Sequence, residues 1–286
     1  MEKNMTSPTV INEYIKRSDF FFKKNLGQNF LRDENVARAI VDELGGDRED
    51  AVLEIGPGFG ALTQFLVQRY DSVTALEIDP FAIGVLSDVF SEETALRIVK
   101  GDILRQDLSR LLGESVAEGK KLRAISNLPY YITSQVIIKL LSSDVRFENI
   151  VVMVQKEVSS RLSAQPGTKD YSAFTVLLAY YADVYRCFEV SHTCFIPQPK
   201  VDSTVMKIVP LKERRVRVSD EERFTRTVKA AFSMRRKTLL NCISMNFSMS
   251  KDEAGERILS AGFDPGIRGE ILTLEEFAAL SEAMPS

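Results

Sequence analysis

Residues 51–63 read AVLEIGPGFGALT, and this stretch decides the fold. An apolar run of strand length leads into the glycines Gly56 and Gly58, and a helical pattern follows directly. Glycine permits a tight strand-to-helix turn and lets the backbone come close to a ligand. The stretch therefore predicts the first strand of an α/β sheet with a binding loop at its carboxyl end.

The same alternation continues to about residue 155. Further strand-like runs are 73–78, 95–100, 122–126 and 149–155, and helical spacing covers 60–69, 80–89 and 132–141. Such alternation predicts a doubly wound, mostly parallel sheet. A helix over 171–182 and strands over 185–190 and 201–209 follow.

The pattern changes after Pro210. Residues 221–234, 236–246, 251–261 and 273–283 all carry helical spacing. We therefore expect an α/β domain over 1–209 and a small all-helical domain over 210–286. Residues 1–20 are an N-terminal extension to which the sequence assigns no role.

Composition bounds the classes of protein that remain. The chain has 286 residues, a net charge of −3 and three cysteines, too few for a disulfide framework or a zinc site. No apolar run has the length of a membrane helix or of a signal peptide. We expect a cytoplasmic monomer that binds no metal and no membrane. Residues 207–239 nevertheless hold 11 Lys/Arg against 4 Asp/Glu, so this segment could bind a polyanion.

The glycine loop alone leaves the ligand open. Glu77 ends the second strand, where a carboxylate can accept hydrogen bonds from ribose hydroxyls, so NAD and S-adenosylmethionine fit equally well. Asp102 follows the third strand, where its carboxylate could accept from an adenine amino group while Ile103 packs on the ring. The alternatives are that Glu77 is a solvated carboxylate at a strand end and that Asp102 is an ordinary loop aspartate.

The fourth strand ends in Asn127, Leu128, Pro129 and Tyr130. In an open parallel sheet this position lies beside the first-strand loop. The Asn127 oxygen and a main-chain carbonyl near Leu128 could accept both hydrogens of an adenine amine, which would aim its lone pair at a sulfonium methyl. Pro129 would fix the backbone, and Tyr130 would offer a ring for the base to stack on. The chain has one histidine, His192, so histidine-based acid–base schemes have little support.

Six motifs occur in an order that resembles a known family. They are KKNLGQNFL (23–31), EIGPGFGALT (54–63), GDIL (101–104), NLPYYI (127–132), FIPQPKVDS (195–203) and FSMRRKTLLN (232–241). The ordered set resembles the KsgA-type family of small-subunit ribosomal RNA adenine N6,N6-dimethyltransferases over about residues 20–270. That resemblance implies a Rossmann-like class I methyltransferase sheet with a helical C-terminal domain. It implies dimethylation of two adjacent adenines in the 3′-terminal hairpin loop of 16S rRNA, with S-adenosylmethionine as donor.

The resemblance also implies roles for individual residues. Asn29, Leu31, Gly56, Glu77, Asp102 and Asn127 would contact S-adenosylmethionine. Phe195 would be a second aromatic wall for the target base, opposite Tyr130.

Two clusters of basic residues would bind RNA phosphates, although each could equally be an ordinary solvated surface: Lys23 and Lys24 near the N-terminus, and Arg235, Arg236 and Lys237 in the helical part.

Three alternatives stay open at this point. The related large-subunit rRNA dimethyltransferases that confer macrolide resistance share much of the pattern, although FIPQPKVDS and Leu128 favour the small-subunit enzymes. The protein could act chiefly as a ribosome-assembly factor whose methylation is secondary. A nicotinamide-dependent oxidoreductase is the third alternative.

Overall fold

A computed structural model of the chain describes residues 4–17, 29–127 and 132–285. These residues fall into two compact units. The first comprises the chain up to Ser159 together with Val184–Pro210, and the second comprises Ser160–Asp183 and Leu211–Ser286. Within the described residues, no helix combines the length and the hydropathy that crossing a bilayer requires.

The described residues form nine strands. In chain order they are β1 (Phe30–Leu31), β2 (Ala51–Ile55), β3 (Ser72–Glu77), β4 (Leu96–Lys100), β5 (Leu122–Asn127), β6 (Phe147–Gln155), β7 (Ala182–Val190), β8 (Phe195–Ile196) and β9 (Ser203–Pro210). Seven of them make one sheet in the order β4-β3-β2-β5-β6-β9-β7, and β1 pairs with β8 in a separate two-stranded sheet.

The large sheet is parallel from β4 to β6, and β9 runs antiparallel to β6. Every residue of β2 is buried, as its continuous apolar pattern predicts for a central parallel strand. Ile55, at the end of β2, pairs with Leu76 on one side and with Ser126 on the other. The loops that follow β2, β3 and β5 therefore emerge side by side.

Helices connect these strands, and three of those described in the first unit begin at a side-chain cap. The helices that begin within the first unit are α1 (Pro8–Arg17), α2 (Glu34–Leu44), α3 (Thr63–Arg69), α4 (Pro80–Val89), α5 (Leu108–Leu111), α6 (Gly113–Ala117), α7 (Thr133–Leu141) and α8 (Lys156–Leu162). Asp79 caps α4 by accepting from the Phe81 amide, and Pro80 occupies the first helical position, where its missing N–H costs nothing. This cap begins α4 only three residues after the end of β3.

The second unit is helical. Its main helices are α9 (Ala173–Tyr181), α10 (Glu221–Ala231), α11 (Leu239–Phe247), α12 (Lys251–Ser260) and α13 (Leu274–Glu282). The sequence analysis grouped residues 160–183 with the α/β domain, whereas they lie in this unit. The physical reason is that α9 is almost entirely apolar and packs on α10, where the Tyr180 and Phe224 ring centroids are 4.7 Å apart.

Residues 4–17, the N-terminal segment, belong to the folded first unit. Ten of them form α1, in which Ile11 and Tyr14 are buried and Val10 and Ile15 are partly buried. They join one apolar cluster, which contains Met5, Ile11, Tyr14, Phe30, Phe59, Ala82 and Val85. The cluster connects this segment to the loop after β2 and to α4.

Candidate functional site: a cavity at the carboxyl ends of the parallel strands

A cavity of about 250 Å³ opens where β2, β3 and β5 end. Its walls contain every residue that the sequence analysis assigned to the cofactor: Asn29, Leu31, Gly56, Gly58, Glu77, Asp102, Ile103 and Asn127. The parallel register brings them together, since equivalent strand ends meet at one edge of the sheet. The fold thus assembles in one place residues that lie up to 98 positions apart in the chain.

The glycine loop lets the main chain form one wall of this cavity. Gly56 and Gly58 have φ angles of 65° and 58°, which residues that carry a Cβ rarely adopt. A Cβ added to Gly56 would meet no protein atom within 4 Å, whereas one added to Gly58 would lie 3.3 Å from the Phe30 ring. At Gly56 the backbone therefore faces open space, as close approach of a ligand requires.

Glu77 holds this loop through its carboxylate. One oxygen accepts from the Gly58 amide at 3.1 Å, and the other accepts from the Ile78 and Asp79 amides at 2.8 Å each. Burial nevertheless raises the pKa of Glu77, and the three hydrogen bonds only partly offset that effect. A carboxylate has about four acceptor sites, so roughly one stays available to a ribose hydroxyl. The sequence interpretation allowed for both hydroxyls.

Glu54 is a cavity residue that the sequence analysis missed. It is 2% exposed and lies in the buried strand β2. The Thr63 hydroxyl donates to it at 2.6 Å, and burial raises the pKa of its carboxyl to about 8. The available signal was an acidic residue inside an otherwise apolar central strand, where an ionisable group is rare unless it is paired or functional.

Asn127 ends β5 and lines the cavity from the side opposite Glu77's strand. Its amide nitrogen faces the main-chain oxygen of Asn29 at 3.4 Å. That orientation leaves the amide oxygen available as an acceptor. Leu128, Pro129 and Tyr130, which the sequence analysis also assigned to catalysis, lie outside the described residues.

The loop after β4 adds Asp102 and Ile103. One Asp102 oxygen accepts from the Leu104 amide at 2.9 Å, and Arg105 lies 3.7 Å from the other. Ile103 is 5% exposed and lines the cavity. The carboxylate thus stiffens its own loop and still presents an edge to the cavity.

Phe195 is not brought to this cavity. It is 1% exposed and packs in the main apolar core with Leu31 and Val205. The physical reason is the pairing of β8 with β1, which sets Phe195 opposite Leu31 and turns its ring inward. An anchor reinforces this placement, since Asp202 accepts from both the amide and the ring nitrogen of His192, at 2.9 and 2.8 Å. In this conformation the ring is buried in the core and does not line the cavity, so its predicted contact with the target base stays a prediction.

Comparison with known proteins identifies the family. Residues 19–261 match the family described as Ribosomal RNA adenine dimethylase. The chain belongs to this family. It is 42% identical to Ribosomal RNA small subunit methyltransferase A of Geobacillus sp. (strain WCH70), over 99% of both chains. It is 44% identical to the protein of the same name from Geobacillus thermodenitrificans (strain NG80-2), over 99% of this chain and 98% of that one.

Solved structures share the fold. A dimethyladenosine transferase from Plasmodium falciparum superposes with a TM-score of 0.68 at 24% identity and covers 87% of this chain and 95% of its own. The 23S rRNA methyltransferase ErmE superposes with a TM-score of 0.60 at 24% identity, and the match covers 89% of this chain and 99% of ErmE. These likenesses establish a class I methyltransferase fold, as the motifs implied.

As a member of the adenine dimethylase family, the chain is an rRNA methyltransferase whose methyl donor is S-adenosylmethionine. The cavity fits that donor. Gly56 offers main chain with open space in front of it, Glu77 keeps an acceptor site, and Asp102 and Ile103 provide a carboxylate edge beside an apolar surface. Among the described residues, no group of acidic, histidine and cysteine side chains could hold a metal ion.

The basic residues predicted to bind rRNA have different environments. Arg235 donates to the Lys169 main-chain oxygen at 2.5 Å and lies 3.8 Å from the Glu270 carboxylate. Arg236 and Lys237 are exposed and have no ion-pair partner within the described part of the chain. Arg235 is therefore held in place, while the other two remain available for phosphates. Lys23 and Lys24 lie outside the described residues.

Proposed function

We propose that this protein transfers methyl groups from S-adenosylmethionine to the exocyclic amines of two adjacent adenines in the 3′-terminal hairpin loop of 16S rRNA, during small-subunit assembly in the cytoplasm. The observation that carries the proposal is Asn127, whose side chain lies in the donor cavity with its amide oxygen unused by Asn29. Relatives named as small-subunit enzymes, matched over their full length, favour this substrate over large-subunit rRNA.

The bound donor supplies an electrophilic methyl on a sulfonium. The exocyclic nitrogen of adenine is a poor nucleophile, because its lone pair is delocalised into the ring. By accepting one N–H hydrogen bond, the Asn127 oxygen favours a pyramidal nitrogen and stabilises the positive charge that develops on it. The Asn29 main-chain oxygen fixes the amide so that this acceptor is oriented before the base arrives.

A main-chain carbonyl near Leu128 would be the second acceptor in the first transfer, with Tyr130 as the stacking ring. A monomethylated amine has one N–H left, so the second transfer can use only one acceptor. Asn127 is sufficient for that step. An unpaired adenine suits the site, since a base must leave its stack before an enzyme can act on it.

The basic residues of the helical unit would contact phosphates of the assembling particle as a monomeric enzyme docks. Arg236 and Lys237 are the strongest candidates, because they lack internal partners in the described structure. Lys23 and Lys24 would extend this contact from the N-terminal side. Such contacts would make affinity fall steeply with salt.

The test compares two substrates. Purified protein with labelled S-adenosylmethionine is incubated with small subunits from a strain lacking this gene, and separately with protein-free 23S rRNA. We expect dimethyladenosine only in the 3′-terminal hairpin of 16S rRNA, located by mass mapping. Label found only in 23S rRNA would refute the proposed substrate and favour the large-subunit alternative.

A second experiment addresses the assembly-factor alternative. Asn127→Ala is introduced into the deletion strain, and both methylation and small-subunit maturation are measured. Loss of both would support catalysis as the main role. Loss of methylation with full rescue of maturation would show that binding is the main role.

A further inference from the structure

Met5 lies in the wall of the donor cavity. Its side chain is fully buried, and it lines the cavity together with Gly58 and Glu77. It belongs to the N-terminal segment, residues 4–17, to which the sequence analysis assigned no role. A residue so distant from the glycine loop in the chain reaches this wall only because the whole segment docks.

Three hydrogen bonds tie the segment to three different helices. The Asn4 amide nitrogen donates to Glu34 in α2 at 2.7 Å, the Met5 main-chain N–H donates to Gln64 in α3 at 3.0 Å, and the Tyr14 hydroxyl donates to Asp88 in α4 at 2.8 Å. Gln64 is itself oriented by donating to the Ala61 main-chain oxygen at 3.0 Å. The bond to Gln64 fixes the position of Met5 directly.

Aromatic packing joins the segment to the cavity. Ile11 is fully buried in the cluster that holds Phe30 and Phe59. The Phe30 and Phe59 rings stack with centroids 4.0 Å apart, and Tyr14 lies 6.3 Å from Phe59. Both phenylalanines also line the donor cavity. The rings that hold the segment are thus the rings that shape the cavity.

The position of Met5 indicates which part of the donor its wall of the cavity faces. It lies between α3, through Gln64, and α4, through the cluster it shares with Ala82. Helix α4 begins three residues after Glu77, the ribose acceptor. A thioether is apolar and suits the adenosyl part of the donor, whereas the charged amino-acid end needs polar partners.

We propose that residues 4–17 are part of the donor-binding site, with Met5 as a positioning residue that packs within the wall facing the adenosyl group. Docking of the segment and binding of the donor then stabilise each other, because an equilibrium coupling between two sites is reciprocal. A ten-residue helix is marginal in isolation, so α1 depends on its docked contacts and responds to them. This inference rests on the proposed function, since it takes the bound molecule to be S-adenosylmethionine.

Amide hydrogen exchange on the wild-type chain tests the coupling without a variant. The probe is S-adenosylhomocysteine at saturation, with residues 54–66 as an internal reference for occupancy of the cavity. We expect exchange over residues 5–15 to slow at least about tenfold, together with that of the reference. Slowing in the reference alone would overturn the inference and leave the proposed function standing. Slowing in neither would mean that the ligand does not bind, which contradicts the proposed function itself.

Calorimetry on three variants tests the role of Met5. Met5→Ala should weaken S-adenosylhomocysteine binding about tenfold, or about 1.4 kcal/mol, while Met5→Leu, which conserves volume, should stay near wild type. Val41→Ala is the matched control, because it removes apolar volume from the main core at a residue that belongs neither to the cluster of the N-terminal segment nor to the cavity lining. We expect its effect to be threefold or less. Equal losses in Met5→Ala and Val41→Ala, or none in Met5→Ala, would contradict a role of Met5 in the donor site.

Discussion

Glu77→Gln tests how the site holds ribose. In the wild type, three of about four acceptor sites on the carboxylate are taken by the amides of Gly58, Ile78 and Asp79. One ribose hydroxyl can use the remaining site without displacing the loop. A hydrogen bond to a charged group contributes about 1.5–3 kcal/mol, so its loss should weaken S-adenosylhomocysteine binding about 10- to 150-fold.

The variant keeps the shape of the side chain. A glutamine oxygen can still accept from Ile78 and Asp79, but its NH₂ then faces the Gly58 amide as a second donor. That mismatch adds a cost of about 1–3 kcal/mol to the folded loop. Glu77→Ala removes all three acceptor contacts and should lower the melting temperature further, so Glu77→Gln is the cleaner probe of ligand affinity.

The assay is calorimetry with S-adenosylhomocysteine and its 2′-deoxy and 3′-deoxy analogues. For the wild type, we expect one of the two analogues to bind at least about tenfold more weakly than S-adenosylhomocysteine. The other should bind only slightly more weakly, because a single acceptor site is available. In Glu77→Gln that difference should disappear. If the two analogues show the same loss of affinity as each other, in the wild type as well as in the variant, Glu77 does not accept from ribose and the acceptor count is wrong.

Three further predictions follow from the same geometry. Asn127→Ala should lower methyl-transfer turnover on small subunits about 10²–10³-fold while weakening S-adenosylhomocysteine binding less than tenfold; equal losses would make Asn127 a donor-binding residue only. Burial raises the pKa of Glu54 to about 8, so the folded state keeps a proton that the unfolded chain releases, and the free energy of unfolding should fall as pH rises from about 5 to 8. In Glu54→Gln the part of that fall due to Glu54, on the order of 4 kcal/mol at most, should be absent in urea titrations, and an unchanged pH profile would contradict the assignment. Replacing both Arg236 and Lys237 by Ala should reduce the slope of log affinity for small subunits against log salt by about 1.5, whereas Lys251→Ala, which removes an exposed charge from α12, should leave it nearly unchanged; equal slopes in both variants would exclude specific phosphate contacts.

The sequence by itself determined the elements that depend on short windows. The alternation of strands and helices from 51 to 155 follows from the local periodicity of apolar residues. The turn after β2 follows from the conformational freedom of Gly56 and Gly58. The meeting of Glu77 and Asn127 at one cavity also followed from the sequence, because parallel strands place their carboxyl ends at the same edge.

Tertiary structure decided what depends on contacts between distant segments. Phe195 is turned into the core by a pairing with Leu31 that no local pattern encodes. The N-terminal segment reaches the donor cavity through Gln64 and a shared aromatic cluster. Glu54 has a raised pKa mainly because its surroundings exclude water, and the nearby Glu77 carboxylate adds to that effect. Docking between distant segments and the environment of a single polar group arise from the packing of the whole chain, so the periodicity of one stretch does not determine them.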